Sequence, residues 1–367
     1  MMNVTPRVII AAGGTGGHLW PAVSLAQAMQ RLEPRSEFLF VGAGRPVEAK
    51  ILELAGFKRV TLESSGVKGR GPLGQIKAVW QCLTGVVRSL RIFDEFKPNL
   101  FFGTGGYVTV PVGVAAKIKG VPLLLHEQNS RPGLSNRILA RLAMGVYLGF
   151  EAAEKSFPAG KTLVVGNPVR SEIEALHGQA RSFDRKPVTV LVTGGSQGAR
   201  GINRQAAPAL AALHRSGLEL RVVHQAGEAD REWVEDVYKE AGLQARVAGF
   251  FQDMASLYAE ADLAIGRAGA LTLAELAEAK LPSVLVPLPT AADDHQTANA
   301  QALTDSGAAV MMAEKDLTPE SFEALIGGLL GEPGRLEKMS GAAAAQAGLN
   351  AAEAMARDCL KLIEGKA

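Results

Sequence analysis

The chain has 367 residues, enough for about two domains, and a hydrophobic content of 47% supplies real cores. A net charge of +2 hides an asymmetry: residues 1–170 carry 21 Lys and Arg against 10 Asp and Glu (+11), and the remainder carries 18 against 27 (−9). No apolar run reaches the ~18 residues of a membrane span. No secretory leader is expected ahead of the first strand-like run. Cys82 and Cys359, with no C-x-x-C spacing, argue against a disulfide framework or zinc site and fit a reducing cytoplasm.

The basic half points to an anionic partner for that half alone. Its basic residues are dispersed and aromatics are only 5% of the chain, which favours a membrane surface or a phosphate substrate over nucleic acid.

Strand-like apolar runs alternate with helical periodicity along the whole chain, the pattern of parallel sheets with crossover helices. The first run, at 7–12, leads through Gly13-Gly14-Thr15-Gly16-Gly17-His18 into a helix at 21–32. A strand, a glycine loop and a helix start together present backbone N–H groups to an anion. The dinucleotide fingerprint is not met: counted from Gly14, Leu19 stands where the last glycine belongs. The next strand, 37–42, also ends without the acidic residue that would hold a ribose. His18, at the helix entrance, is either a proton acceptor or a residue that hydrogen-bonds substrate or caps the helix.

Residues 66–93 combine Lys68, Arg70, Lys77, Arg88 and Arg91 with Leu73, Ile76, Val79, Trp80, Leu83, Val86, Val87 and Leu90, and a helix is expected over 74–93. This is either an interfacial membrane contact, with Ile76, Val79, Trp80 and Leu83 at its centre, or an ordinary helix facing a core. Strand 99–103 runs into Gly103-Thr104-Gly105-Gly106-Tyr107, a loop at the same sheet edge or a turn with Tyr107 in the core. Strand 121–125 runs into His126-Glu127-Gln128-Asn129, four polar side chains where parallel sheets bind ligands. A helix at 134–143 and a strand at 144–148 follow. Val165-Gly166-Asn167-Pro168-Val169-Arg170 reads as the break between halves.

The second half repeats the opening device. Strand 188–193 leads into Gly194-Gly195-Ser196-Gln197-Gly198 and a helix from Ile202 to Leu213. Strands follow at 219–224, 245–249, 262–266, 283–287 and 308–312, with helices at 230–241, 271–279, 296–305 and 318–330. Arg267 to Glu275 again joins a strand to a helix. Arg267 faces phosphate or base, and Glu275 either reaches a ribose diol or lies on a solvated helix face. Asp293-Asp294-His295-Gln296 matches no zinc or calcium spacing and reads as polar substrate contacts. Gly331-Glu332-Pro333-Gly334 closes the pattern, before an Ala-rich helix at 349–363. The division expected is 1–167 and 168–348, with 349–367 open to packing back on the first domain.

Taken together these motifs resemble the MurG-type glycosyltransferases. GGTGGH lies at Gly13–His18, GTGGY at Gly103–Tyr107, HEQN at His126–Asn129, GNPVR at Gly166–Arg170 and GGSQGAR at Gly194–Arg200. FFQDM at Phe250–Met254 and RAGALTLAE at Arg267–Glu275 complete a series that runs nearly end to end. The resemblance implies an α/β GT-B fold, two Rossmann-like doubly wound parallel-sheet domains facing a deep cleft. It implies inverting transfer of N-acetylglucosamine from UDP-N-acetylglucosamine to the C4 hydroxyl of MurNAc in lipid I, giving lipid II for peptidoglycan.

By the same resemblance Thr15, Gly16 and Gly17 lie near the sugar and diphosphate, Asn129 on the sugar hydroxyls, and Arg170 and Ser196 near the phosphates. Phe251, where some members carry isoleucine, borders the uracil. Ala270, Leu271, Thr272, Leu273, Ala274 and Glu275 hold ribose and phosphates, and Gln296 reaches the sugar. Arg267 or Arg170 neutralises the departing diphosphate. His18 is the expected base, with Glu127 in reserve. No cofactor and no metal ion are implied, since no D-x-D triplet occurs. The expected partners are the donor, lipid I, an anionic membrane surface and a cell-wall synthesis and division complex. The expected location is peripheral, on the cytoplasmic face of the bacterial inner membrane. Two rivals stand: a UDP-N-acetylglucosamine 2-epimerase, and a non-catalytic nucleotide-sugar-binding membrane module.

Overall fold

The computed structural model describes residues 4–13, 16–62, 72–195 and 198–365, without the side chains of residues 72–76 and 292. Two compact units divide the chain: Met1–Arg170 with Asn350–Ala367, and Ser171–Leu349.

The first unit contains β1 (Arg7–Ala11), α1 (Gly16–Leu32), β2 (Glu37–Gly42), α2 (Pro46–Leu54), β3 (Lys58–Thr61), α3 (Pro72–Phe96), β4 (Leu100–Gly103), α4 (Thr109–Ile118), β5 (Leu123–Glu127), α5 (Leu134–Leu139), β6 (Gly145–Leu148) and β7 (Thr162–Val164). Its seven strands are parallel in the order β3-β2-β1-β4-β5-β6-β7. β1 is an interior strand, between β2 and β4, with both faces covered: Val8, Ile9, Ile10 and Ala11 are all completely buried. Burying each of the larger side chains stabilises the unit by about 1.5–3 kcal/mol. The register sets Ala11 level with both Val41 and Gly103, so the loops after β1 and β4 leave the sheet side by side. That is the point where strand order reverses, and ligands of open parallel sheets bind there.

Elements that the pattern of apolar residues missed are those with weak local signals. β3 and β7 are edge strands with mostly exposed side chains, so neither shows a continuous apolar run. α4 carries Pro111 in its first turn and several valines, which lower helix propensity, and forms by packing on α3 and α5. α2 starts where the buried Glu48 carboxylate accepts the N–H groups of Gly44 (2.8 Å) and Arg45 (3.2 Å).

The second unit contains α6 (Ser171–Glu174), β8 (Val188–Thr193), α7 (Arg200–Arg215), β9 (Leu220–Gln225), α8 (Arg231–Glu240), β10 (Gln244–Ala248), α9 (Met254–Glu260), β11 (Leu263–Gly266), α10 (Ala270–Glu278), β12 (Ser283–Leu285), α11 (His295–Asp305), β13 (Ala309–Met311), α12 (Pro319–Gly331) and α13 (Arg335–Ala344). Its six parallel strands run β10-β9-β8-β11-β12-β13, the same order as the first six of the other unit when each is counted from its own first strand. The chain then returns: α14 (Ala351–Glu364) packs on α1 and buries Met355, Ala356, Cys359 and Ile363 in the core that holds Leu19 and Val23.

Candidate functional site

In the first unit the loops after β1, β4 and β5 converge. Gly13 N–H donates to the Gly105 carbonyl at 3.3 Å, and Gly106 passes so close that a Cβ there would stand 2.5 Å from the Gly13 oxygen. Gly106 also has φ of +86°, which only glycine adopts without strain. Thr104 N–H donates to the Ala11 carbonyl and its hydroxyl to the His18 carbonyl, at 3.0 and 2.8 Å. The two loops are therefore one interlocked surface.

His18 lies in the first turn of α1, half-buried. Its Nδ1 is 2.9 Å from the Thr104 carbonyl oxygen and 3.2 Å from Gln128 Oε1. A carbonyl oxygen only accepts, so Nδ1 carries the proton. Gln128 Nε2 donates to the same Thr104 carbonyl at 2.8 Å, which turns its oxygen toward the ring. The neutral imidazole then holds its lone pair on Nε2, the tautomer a general base requires.

Glu127 is 1% exposed and works differently. One oxygen accepts from Asn129 N–H (3.0 Å) and Asn129 Nδ2 (3.2 Å). The other accepts from Gly133 N–H (3.0 Å) and Asn136 Nδ2 (2.9 Å). Four donors occupy both oxygens, so this carboxylate holds Asn129 and the loop in place. His126 is fully buried beside it, donates toward the Gly166 carbonyl at 3.3 Å, and is pushed down to about 4, chiefly by burial. Asn167 Nδ2 donates to the Gln128 carbonyl at 3.1 Å, so the segment leading to Arg170 is stitched to the same loop. The Arg170 guanidinium lies 5.2 Å from the Trp20 ring centroid, a stacking contact that directs it.

In the second unit the corresponding loops follow β8, β10, β11 and β12. Glu275 is not on a solvated helix face: it is 7% exposed and accepts from the buried Tyr258 hydroxyl at 2.9 Å. Gln296 Oε1 accepts from Ala268 N–H (3.3 Å) and Leu288 N–H (2.9 Å), which leaves its Nε2 as the donating end. Arg267 pairs with Glu314 and donates through Nη1 to the Val286 carbonyl at 3.2 Å, bracing the loop ahead of α10. Along α10, Ala270 and Leu273 are buried, while Leu271, Thr272 and Ala274 are partly exposed. Phe251 is half-buried, with its N–H held by Gln225 at 2.9 Å. Thr15 and Ser196 lie outside the described residues; Gly16 and Gly17 open α1.

Tyr107 is 44% exposed, so it is no core residue. On α3, Ala78, Ser89 and Phe93 face inward, while Val79, Trp80, Leu83 and Val87 are exposed, with Trp80 at 66%. The helix is thus apolar on two faces, and Lys77, Arg88 and Arg91 are exposed along it. The Ile76 side chain lies outside the described residues. Among the described residues no helix is long and apolar enough to cross a membrane.

Gln225, Tyr258 and Glu314 were not named by sequence as site residues, and Thr104 and Gln128 were placed in loops at the ligand edge without a role of their own. Gln225 had a usable signal, because it follows an apolar strand as the polar cluster at 126–129 does. Tyr258 and Glu314 had none, since their partners come from other elements.

Comparison with known proteins follows the same division. Residues 8–148 match the glycosyltransferase family 28 N-terminal domain, and residues 189–355 match the family's C-terminal domain. The chain is 40% identical over 354 residues, 95% of its length and 94% of the relative, to the UDP-N-acetylglucosamine–N-acetylmuramyl-(pentapeptide) pyrophosphoryl-undecaprenol N-acetylglucosamine transferase of Geobacter sp. strain M21. The crystal structure of Acinetobacter baumannii MurG matches with a TM-score of 0.79 and 32% identity, covering 97% of this chain and 100% of that one. A UDP-GlcNAc 2-epimerase from Neisseria meningitidis, bound to UDP-GlcNAc, matches with a TM-score of 0.67 over 96% of this chain and 100% of that one. At 14% identity it shares the fold alone. The two parallel doubly wound sheets are those of the GT-B class.

Proposed function

The chain belongs to glycosyltransferase family 28, and from that premise we propose that it transfers N-acetylglucosamine from UDP-N-acetylglucosamine to the C4 hydroxyl of MurNAc in lipid I, forming lipid II. It is a hexosyltransferase of peptidoglycan synthesis. The observation that carries this reading is the 40% identity to the Geobacter transferase over 95% of the chain. The epimerase reading has only a fold in common with it.

His18 is the base. Its Nε2 takes the proton of the acceptor hydroxyl as that oxygen attacks the anomeric carbon. The bond from that carbon to the UDP oxygen breaks, and the electron pair leaves with UDP, inverting the centre. Thr104 and Gln128 keep the imidazole in the correct tautomer. Asn129, held by Glu127, is the first unit's residue for the sugar hydroxyls, and Gln296, with Nε2 as its donating end, is the second unit's. Phe251 borders the uracil, and Glu275 accepts from the ribose diol. By the family resemblance Thr15, Gly16, Gly17, Arg170 and Ser196 are assigned to the sugar and diphosphate, where N–H groups and positive charge stabilise the leaving group. Val79, Trp80 and Leu83 with their basic neighbours dock on the anionic cytoplasmic face of the plasma membrane, where the acceptor's lipid tail is held.

The test is radiolabel transfer from UDP-N-acetylglucosamine to a short-chain lipid I analogue, with and without acceptor. Labelled lipid product that depends on acceptor is expected. Donor isomerisation without acceptor, and no labelled lipid, would replace the transferase with the epimerase.

A further inference from the structure

We propose that Gln225 is a positioning residue for the nucleotide part of the donor: its buried amide sets the separation between the glycine loop after β8 and the loop after β10. The inference rests on the reading that the second unit holds a uridine nucleotide.

Gln225 ends β9, the strand that lies between β8 and β10 in the sheet. Its side chain is 3% exposed. Nε2 donates to the Gly195 carbonyl at 2.7 Å, and Oε1 accepts from Phe251 N–H at 2.9 Å. The Gly195 carbonyl also accepts from Gly198 N–H at 3.0 Å, so the amide grips the loop where it closes on itself. Two backbone features tighten the same junction. Ala226 N–H donates to the Ala248 carbonyl at 3.0 Å, and a Cβ on Gly198 would stand 2.1 Å from the Ala226 oxygen. One amide therefore ties together the ends of three adjacent strands.

The chemistry of the tie is directional, because Gln225 donates to one loop and accepts from the other. A carboxylate of the same size only accepts, and its charge would face the Gly195 carbonyl. Asparagine carries both groups but is one methylene shorter. A nucleotide with its base at Phe251 and its phosphates at the glycine loop must match a span held by this amide. A change in that span moves the wall that borders the base relative to the glycine loop, which weakens nucleotide binding and the distinction between a pyrimidine and a larger purine. Gln225 thus governs nucleotide affinity and base preference rather than the bond-breaking step.

The experiment compares wild type, Gln225→Glu and Gln225→Asn by calorimetric titration with UDP and with ADP, and by donor kinetics at saturating acceptor. Gln225→Glu is expected to raise the donor KM about tenfold or more, to reduce the UDP-over-ADP preference by a similar factor, and to leave kcat within about threefold. If the Glu variant does not fold, the Asn variant, which keeps both groups, is read in its place with the same expectation. Unchanged donor KM and base preference in a folded variant that still transfers sugar would overturn the assignment of Gln225 alone. So would an equal fall in kcat without a rise in KM. Wild-type protein that binds no UDP would overturn the donor reading itself.

Discussion

Replacing Glu127 by glutamine separates a bracket from a base. The carboxylate accepts four N–H groups, from Asn129 twice, Gly133 and Asn136, at 2.9–3.2 Å. Glutamine keeps one oxygen and so keeps two of these bonds. Its amino group then faces two donors, and both of those contacts are lost. Hydrogen bonds to a charged group contribute about 1.5–3 kcal/mol each, so the first unit should lose about 3–6 kcal/mol, nearer the lower figure as the loop relaxes. The measurement is urea unfolding in a Trp233→Phe background, where the remaining tryptophans, Trp20 and Trp80, both report on the first unit. Donor KM should rise as well, because Asn129 loses its anchor. A destabilisation under about 1 kcal/mol together with a kcat loss above about 100-fold would refute the bracket and make Glu127 the base.

Three further outcomes are expected. His18→Asn should lower kcat by about 10²–10⁴-fold with little change in donor KM, and Gln128→Met, which removes one of the two partners of the ring nitrogen, should lower kcat by a smaller factor; activity near wild type for His18→Asn would remove it as the base. Trp80→Glu should weaken binding to anionic vesicles while sparing the thermal midpoint, since the side chain is 66% exposed; unaltered partitioning would take α3 out of the docking surface. Glu278 is pushed up from 4.5 to about 7, first by burial and then by the charge of Glu174, with the Gly348 backbone opposing and His177 Nδ1 at 3.6 Å. The folded protein then holds a proton that the unfolded chain has lost, so stability falls as pH rises from about 4.5 to 7. Glu278→Gln should flatten that fall in denaturant midpoints at pH 5 and 7.5; identical slopes would contradict the buried proton.

Sequence by itself determined the central strands, the two glycine loops and the polar clusters at the strand ends. The reason is physical: a parallel strand buried on both faces must be mostly apolar, as Val8 to Ala11 is throughout and Val188 to Val192 is but for Thr189, and the chain must turn polar where it leaves the sheet. Edge strands such as Lys58–Thr61 face solvent and leave no such trace. Tertiary structure alone decided what each polar residue does. His18 gets its tautomer from Thr104, 86 residues away, and Glu127 is filled by donors that only the turn after β5 brings round it. Glu275 is buried because Tyr258 reaches it from another helix, and Gln225 meets two loops because β9 lies between their strands. Such pairings depend on strand order, which hydrophobic periodicity does not encode. A residue's chemistry is local, but the partners that orient it arrive from distant parts of the chain.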